Sequence, residues 1–258
     1  MFDESTKNKC VQILGYPIDN LTISEHVERI ITWLGSGERH YFFCANPHSI
    51  VEAEKDGLFK KALMSADMIT PDGAGILLAA LAQGEKLKER VTGSDIFFSL
   101  NDTLNSDSKK HSCFFLGASN DTLAKIQNKF SVDYPHIELL GVYSPPFKDS
   151  FSEAETKAMV DVVNKFKPDI LWVGMTAPKQ EKWIFENIGR LDVKFVGAIG
   201  AVFDFYVGNI KRSHPLFCRL GLEWLPRLLR EPRRLWKRNF VSSPLFVIKV
   251  LVSRVVSR

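Results

Sequence analysis

An α/β fold with a parallel sheet covered on both sides by helices is what this sequence predicts, on three observations. Short apolar runs rich in β-branched and aromatic residues recur through the first 208 residues, as buried parallel strands require. Amphipathic stretches separate them, and the strand, loop, helix unit repeats several times, which makes the expected sandwich Rossmann-like. Two of those stretches open with Thr22 and Glu25 or with Ser152 and Glu155, boxes that satisfy the free N–H groups of a first helical turn.

In chain order, the expected strands are 41–45, 68–70, 113–117, 137–143, 170–174 and 193–198. After Ser24, the residues Val27, Ile30, Ile31 and Leu34 fall on one face at helical spacing. Asn105 to Lys110 is polar and reads as a surface loop between two halves of the body. There is no internal repeat or low-complexity linker. Composition changes near Asn209, so the expected division is a catalytic core over 1–208 and a basic amphipathic appendage over 209–258.

Charge separates the two parts. Residues 209–258 carry twelve Lys plus Arg against two acids, Glu223 and Glu231, a net of +10. The preceding 208 residues carry 22 basic and 28 acidic side chains, a net of −6. The four cysteines, Cys10, Cys44, Cys113 and Cys218, have neither Cys-x-x-Cys spacing nor a histidine cluster beside them, which argues against structural zinc and disulfides and for a reduced cytoplasmic compartment. Residues 1–9 are polar and mixed in charge, unlike a secretory leader.

Open parallel sheets bind ligands outside the carboxyl ends of their strands, so the loops that follow strands are the candidate sites. They are Asn46-Pro47-His48, Thr70-Pro71-Asp72-Gly73, Gly117-Ala118-Ser119, Tyr143-Ser144-Pro145-Pro146 and the segment from Gly174 to Gln180. Asp72 has two readings. Pro-Asp-Gly is ordinary turn chemistry, yet a carboxylate at a strand end is also placed to take a proton from a hydroxyl nucleophile. Gly117 and Gly174 let backbone N–H groups approach a phosphate at a helix start, or serve only as tight strand-to-helix turns. Neither belongs to a G-x-G-x-x-G or P-loop pattern. Asp204 is a carboxylate in an apolar run, and a ligand's ribose or base is one source of the partners it needs. No D-x-D occurs and the six histidines are scattered. No metal or cofactor is therefore expected, and the charge of a departing diphosphate falls to Arg, Lys and backbone donors.

The tail supplies such cations. Arg227, Arg230, Arg233, Arg234, Lys237 and Arg238 alternate with Trp224, Leu225, Leu228, Leu229, Leu235, Trp236 and Phe240, and Pro226 and Pro232 divide the segment into short helices. Basic residues interleaved with Trp, Phe and Leu suit an interfacial helix on anionic lipid. The last apolar run, 244–256, includes Lys249 and Arg254 and falls short of the about 20 apolar residues a membrane span needs. A solvated basic face and a nucleic-acid contact are the competing readings, and the density of large apolar residues disfavours both. A second subunit can shield such a tail as lipid does, so a homo-oligomer stays open.

Taken together, these segments resemble the WecG/TagA/CpsF family of bacterial glycosyltransferases, whose fold has been called GT-E. The resemblance runs from about Gly15 to Phe240. It is carried by residues 66–73 (Ala-Asp-Met-Ile-Thr-Pro-Asp-Gly), by 174–181 ending in Ala-Pro-Lys-Gln-Glu, and by 221–234. It implies an inverting, metal-independent transfer from a UDP-sugar to a sugar on polyprenyl diphosphate, in surface polysaccharide synthesis at the cytoplasmic face of the inner membrane. By the same resemblance Asp72 is the base, Asn46, Arg90 and Gln180 line the pocket, and Arg227 and Arg234 are brought over it by the appendage. Tyr143 and Asp204 fall where the nucleotide is held. Where many members have a Thr-Pro-Asn or similar polar pattern, this chain has Cys44-Ala45-Asn46, and a thiol is a weaker hydrogen-bond partner than a hydroxyl. The alternatives are a nucleotide-dependent oxidoreductase on a Rossmann sheet and a basic-tailed membrane or nucleic-acid adaptor.

Overall fold

A computed structural model describes residues 10–210, 228 and 232–256, and within the last stretch the side chains of 235–254. It is a three-layer α/β sandwich. The central sheet has six parallel strands in the order β4-β3-β8-β7-β5-β6. These are β3 (His40–Ala45), β4 (Met68–Pro71), β5 (His111–Gly117), β6 (Ile137–Tyr143), β7 (Ile170–Gly174) and β8 (Phe195–Ala198). All six expected strands are present, and those at 137–143 and 170–174 match to the residue.

A hairpin that the sequence reading lacked precedes them. β1 (Cys10–Ile13) pairs antiparallel with β2 (Tyr16–Asp19). Leu14 and Gly15 both take positive φ, the backbone that a two-residue hairpin turn demands. Asp19, buried at the end of β2, ties the hairpin to the sheet. Its carboxylate accepts from Arg29 Nη1 at 2.6 Å and from the backbone N–H of Ile69 at 2.7 Å. A buried carboxylate needs such partners.

The helices divide into two layers. On one face lie α2 (Pro47–Ala53), α3 (Gly57–Met64), α4 (Ala74–Ala82), α7 (Glu153–Phe166) and α8 (Lys179–Asn187), which share a core with the hairpin. On the other face lie α1 (Ile23–Ser36), α5 (Gly93–Asn105), α6 (Asn120–Asp133) and α9 (Val202–Tyr206). Both expected capping boxes form, at Thr22 and Ser152. Two more, at Asn46 and Thr92, start α2 and α5. On α1, Val27, Ile30 and Leu34 are buried and Ile31 is half-buried. Residues 106–110 form the expected exposed connection.

The chain leaves β3 and β7 toward one face, through α2 and α8, but leaves β8, which lies between them, toward the other through α9. Adjacent strands whose connections diverge open a crevice at their carboxyl ends. This sheet therefore has its crevice where β3, β8 and β7 end.

The tail is built into the first layer. α10 (Pro232–Lys237) runs through a π-helical turn at Arg238–Ser242 into α11 (Ser243–Val256). Phe246 is 1% exposed and Val250 4% exposed, in the same core as Ile50 of α2 and Ile76 of α4. His48 Nδ1 lies 2.8 Å from Ser242 Oγ, and Lys249 pairs with Glu54. The other side of α11 exposes Val247, Ile248, Leu251 and Val252, and Trp236 and Phe240 are also exposed. The four-residue recurrence at 242, 246 and 250 thus gives a helix with one face in the protein core and one apolar face outside.

Candidate active site

The site is assembled from strand ends. In the register of β3 with β4, Ala45 stands opposite Pro71, and the backbone N–H of Asp72 donates to the Ala45 carbonyl at 2.8 Å. Asn46 and Asp72 therefore leave the sheet side by side. Asn46 is the N-cap of α2, its side-chain oxygen accepting from Ser49 N at 3.0 Å while Ser49 Oγ accepts from Asn46 N. Gly73, the next residue after Asp72, has φ +100, a backbone that a side chain would strain. Val91 N donates to the Pro71 carbonyl at 3.0 Å, which holds the loop carrying Arg90 against the same corner. Asn46, Asp72 and Arg90 are all half-buried.

Cys44 lies beneath this corner and accepts from Thr70 Oγ1 at 3.3 Å. Gly93, the first residue of α5, is so close that a Cβ there would sit 3.5 Å from the Cys44 sulfur and from Ile199 Cα. Burial, then the negative charge of Asp72, with smaller effects from Glu181 and Asp95, pushes the thiol's pKa far up. Cys44 is therefore a neutral filler with a weak polar contact, and carboxyl groups from three elements act on it electrostatically. Among the described residues no group of His, Cys, Asp and Glu is arranged to hold a metal ion.

Gln180 enters from the first turn of α8. Its Oε1 accepts from Met175 N at 3.1 Å and its Nε2 donates to Glu181 Oε1 at 2.9 Å. A Cβ built on Gly200, just after β8, would be 3.7 Å from that Nε2, so the amide lies at the floor of the crevice between β7 and β8. Glu181 is 5% exposed, and burial pushes its carboxyl up to about 7 against a weaker opposing hydrogen bond from Gln180.

The remaining expected residues lie along the other end of the crevice. Gly117 and Gly174 are register partners. A Cβ on Gly117 would collide with the Gly174 backbone, and one on Gly174 with the Phe203 ring of α9, so neither position has room for a side chain. Tyr143 ends β6, half-buried, and Ser144 Oγ donates to the Ala118 carbonyl at 2.7 Å. Asp204 is half-buried and finds its partners within the chain: Oδ1 accepts from Thr122 Oγ1 at 3.3 Å and from Asn209 Nδ2 at 3.1 Å. Arg227 lies outside the described residues. Arg234 is on α10, and its side chain is outside them too. A separate recess at the amino ends of β3, β7 and β8 is lined by residues such as Lys167, Asp169, Asp192 and Lys194. Four of its charges pair with one another, Lys167 with Asp192 and Lys194 with Asp169.

Two residues of the central site escaped the sequence reading, Glu181 and Asp95. Each is an acid in the first turn of a helix, where it reads as a partner of the helix dipole. Only the tertiary fold brings their charge to bear on Cys44.

Sheet order and crevice define the class: a doubly wound α/β protein whose parallel strands open a crevice at their carboxyl ends, with Asn46 and Asp72 side by side at its edge. The sequence model of the Glycosyl transferase WecG/TagA/CpsF family matches residues 11–258, and the chain belongs to that family. It is 33% identical over 220 residues to the N-acetylglucosaminyldiphosphoundecaprenol N-acetyl-beta-D-mannosaminyltransferase of Bacillus spizizenii, covering 85% of this chain and 82% of the relative. The Bacillus subtilis protein of the same name is 33% identical over 207 residues, covering 80% and 77%. One from Staphylococcus aureus is 27% identical over 253 residues, covering 96% and 94%. The oxidoreductase and adaptor readings give way to this membership.

Proposed function

We propose that this protein transfers N-acetylmannosamine from its UDP donor to N-acetylglucosamine carried on polyprenyl diphosphate, with inversion and without a metal ion. The observation that carries the reading is the Asn46–Asp72 corner, set over the crevice in a chain that belongs to this glycosyltransferase family. The names of the relatives supply the donor and acceptor sugars.

In this mechanism Asp72 takes the proton of an acceptor hydroxyl as the oxygen attacks the anomeric carbon from the face opposite UDP. The bond from that carbon to the diphosphate oxygen breaks, and its electron pair leaves with UDP. Arg90, together with Arg227 and Arg234, offsets the charge that develops there. Tyr143 and Asp204 hold the nucleotide at the far end.

The protein works at a membrane surface, where a polyprenyl acceptor resides. No helix among the described residues is long and apolar enough to cross a membrane. The outer face of α11, with Trp236, Phe240 and the neighbouring α4 residues Leu78 and Leu81, is exposed and apolar, as an interfacial element is. The test is transfer in vitro from a panel of UDP-sugars to a synthetic lipid-diphosphate N-acetylglucosamine, with chelator present. Product of inverted configuration from UDP-N-acetylmannosamine is expected. Transfer that needs a divalent ion, or retention of configuration, overturns the mechanism.

A further inference from the structure

A buried carboxyl group without a cation is costly to keep, and among the described residues Glu181 is such a group. Its Oε2 is buried without a hydrogen-bond partner among the described residues. No charged group contributes to its displaced titration, which comes from burial. The nearest cation in sequence, Lys182, is bound to Asp56 of α3 at 2.8 Å, and Lys179 is turned to the Lys148 carbonyl. The other carboxyls that act on the Cys44 thiol are Asp72 and Asp95. Packing alone would be served by an apolar side chain.

What Glu181 does in the structure is hold Gln180. The Gln180 amide is pinned at both ends, its oxygen by Met175 N–H and its nitrogen by Glu181 Oε1. An amide nitrogen carries two hydrogens. One is committed to Glu181, and the amide as a whole lies beside Gly200, whose Cβ would be 3.7 Å from Nε2 and 3.8 Å from Oε1. We infer that Glu181 is a positioning residue of the transferase site, whose Oε1 fixes the orientation of the Gln180 amide so that its second N–H is available to a substrate oxygen in the crevice. A substrate hydroxyl or diphosphate oxygen is the chemistry such a donor recognises. The inference rests on the transferase reading above, in which Gln180 meets substrate.

Three variants separate the outcomes. Glu181→Gln keeps an acceptor oxygen for Gln180 and is expected to hold kcat within about threefold of wild type. Glu181→Met keeps the length and removes the acceptor, and kcat is expected to fall about tenfold, the scale of one lost hydrogen bond in a site that needs it. KM changes less, because the fault lies in alignment. Gln180→Ala reports on the underlying reading: if it transfers sugar at the wild-type rate, Gln180 does not meet substrate and that reading fails for this residue. If Gln180→Ala is impaired while folded Glu181→Met has wild-type kcat and KM, the positioning role is wrong. Equal damage in Glu181→Gln and Glu181→Met also overturns it, since charge and not the acceptor would then matter.

A measurement on the intact wild-type protein covers the case of a Met variant that does not fold. The side-chain amide nitrogen resonance of Gln180 is expected to shift with a midpoint near 7 as Glu181 ionises. That shift should vanish in Glu181→Gln. A Gln180 amide signal that is flat between pH 5 and 9 means the pair is not coupled, and the inference falls.

Discussion

Asp72 donates its backbone N–H to the carbonyl of Ala45, the residue before Asn46. One hydrogen bond between neighbouring strand ends thus sets the separation of two groups assigned to the same reaction. Because this contact uses the backbone, Asp72→Asn leaves it in place. The variant is expected to keep the wild-type melting temperature and to lose a factor of about 10² to 10⁴ in kcat, the range for a missing general base. Transfer at the wild-type rate would remove Asp72 from that role.

Asn46 has a structural duty that can be separated from its chemical one. As the N-cap of α2 it accepts from Ser49 N. Asn46→Ala is expected to lose about 1 kcal/mol of stability, read as a fall in melting temperature, together with activity. Asn46→Ser restores a cap, so its melting temperature should return while its activity stays low. If activity returns with the cap, Asn46 serves the helix alone.

The two sides of α11 should respond oppositely. Phe246 is fully enclosed, and Phe246→Ala is expected to cost about 3–5 kcal/mol, measured by chemical denaturation. Ile248 is 56% exposed on the other side. Ile248→Glu should leave the denaturation midpoint unchanged and weaken co-sedimentation with vesicles containing anionic lipid. The same packing makes truncation at Asn209 a poor probe of the appendage, because it uncovers the core positions Ile50 and Ile76.

Glu181 also sets a pH dependence of stability. Unfolded, its carboxyl titrates near the ordinary 4.5, and folded near 7. Between those values the native state binds the extra proton, so stability falls as pH rises, and the loss is complete above 7. Its full size is on the order of 3 kcal/mol at 1.36 kcal/mol per pH unit. Glu181→Gln removes the titration. Its melting temperature relative to wild type is therefore expected to climb between pH 5 and 7.5 and to level off beyond. A constant difference across that range would show that Glu181 is not buried in this way.

The strands of the sheet were legible because each is an apolar run with Gly, Pro, Asn or Asp at its carboxyl end or within two residues beyond it, and β6 and β7 match to the residue. The β1–β2 hairpin was not, since four-residue strands holding Gln12 and Pro17 offer too little alternation to stand out. Asp72 and Asn46 could be found because a strand end is itself a sequence feature. The partnership of Gln180 with Glu181 could not, because adjacent helical residues do not ordinarily face one another and burial of the acid depends on α3 and β8 closing over it. Asp204 carried a real signal, a polar residue among apolar ones, but its partners proved to be Thr122 and Asn209. Strand order was also beyond reach, as insertion of β8 between β3 and β7 leaves no local trace.

That strand order bears on how such a protein diversifies. Residues 40–95 supply the Asp72 end of the crevice, whereas 111–144 supply the far end at β5 and β6. Each of these two stretches is contiguous in the gene, although Gly174 and Asp204 join the far end from later in the chain. Substitutions or recombination in the second stretch can remodel one end of the crevice while the Asn46–Asp72 corner is inherited intact, so a change in what is bound need not pass through an inactive ancestor.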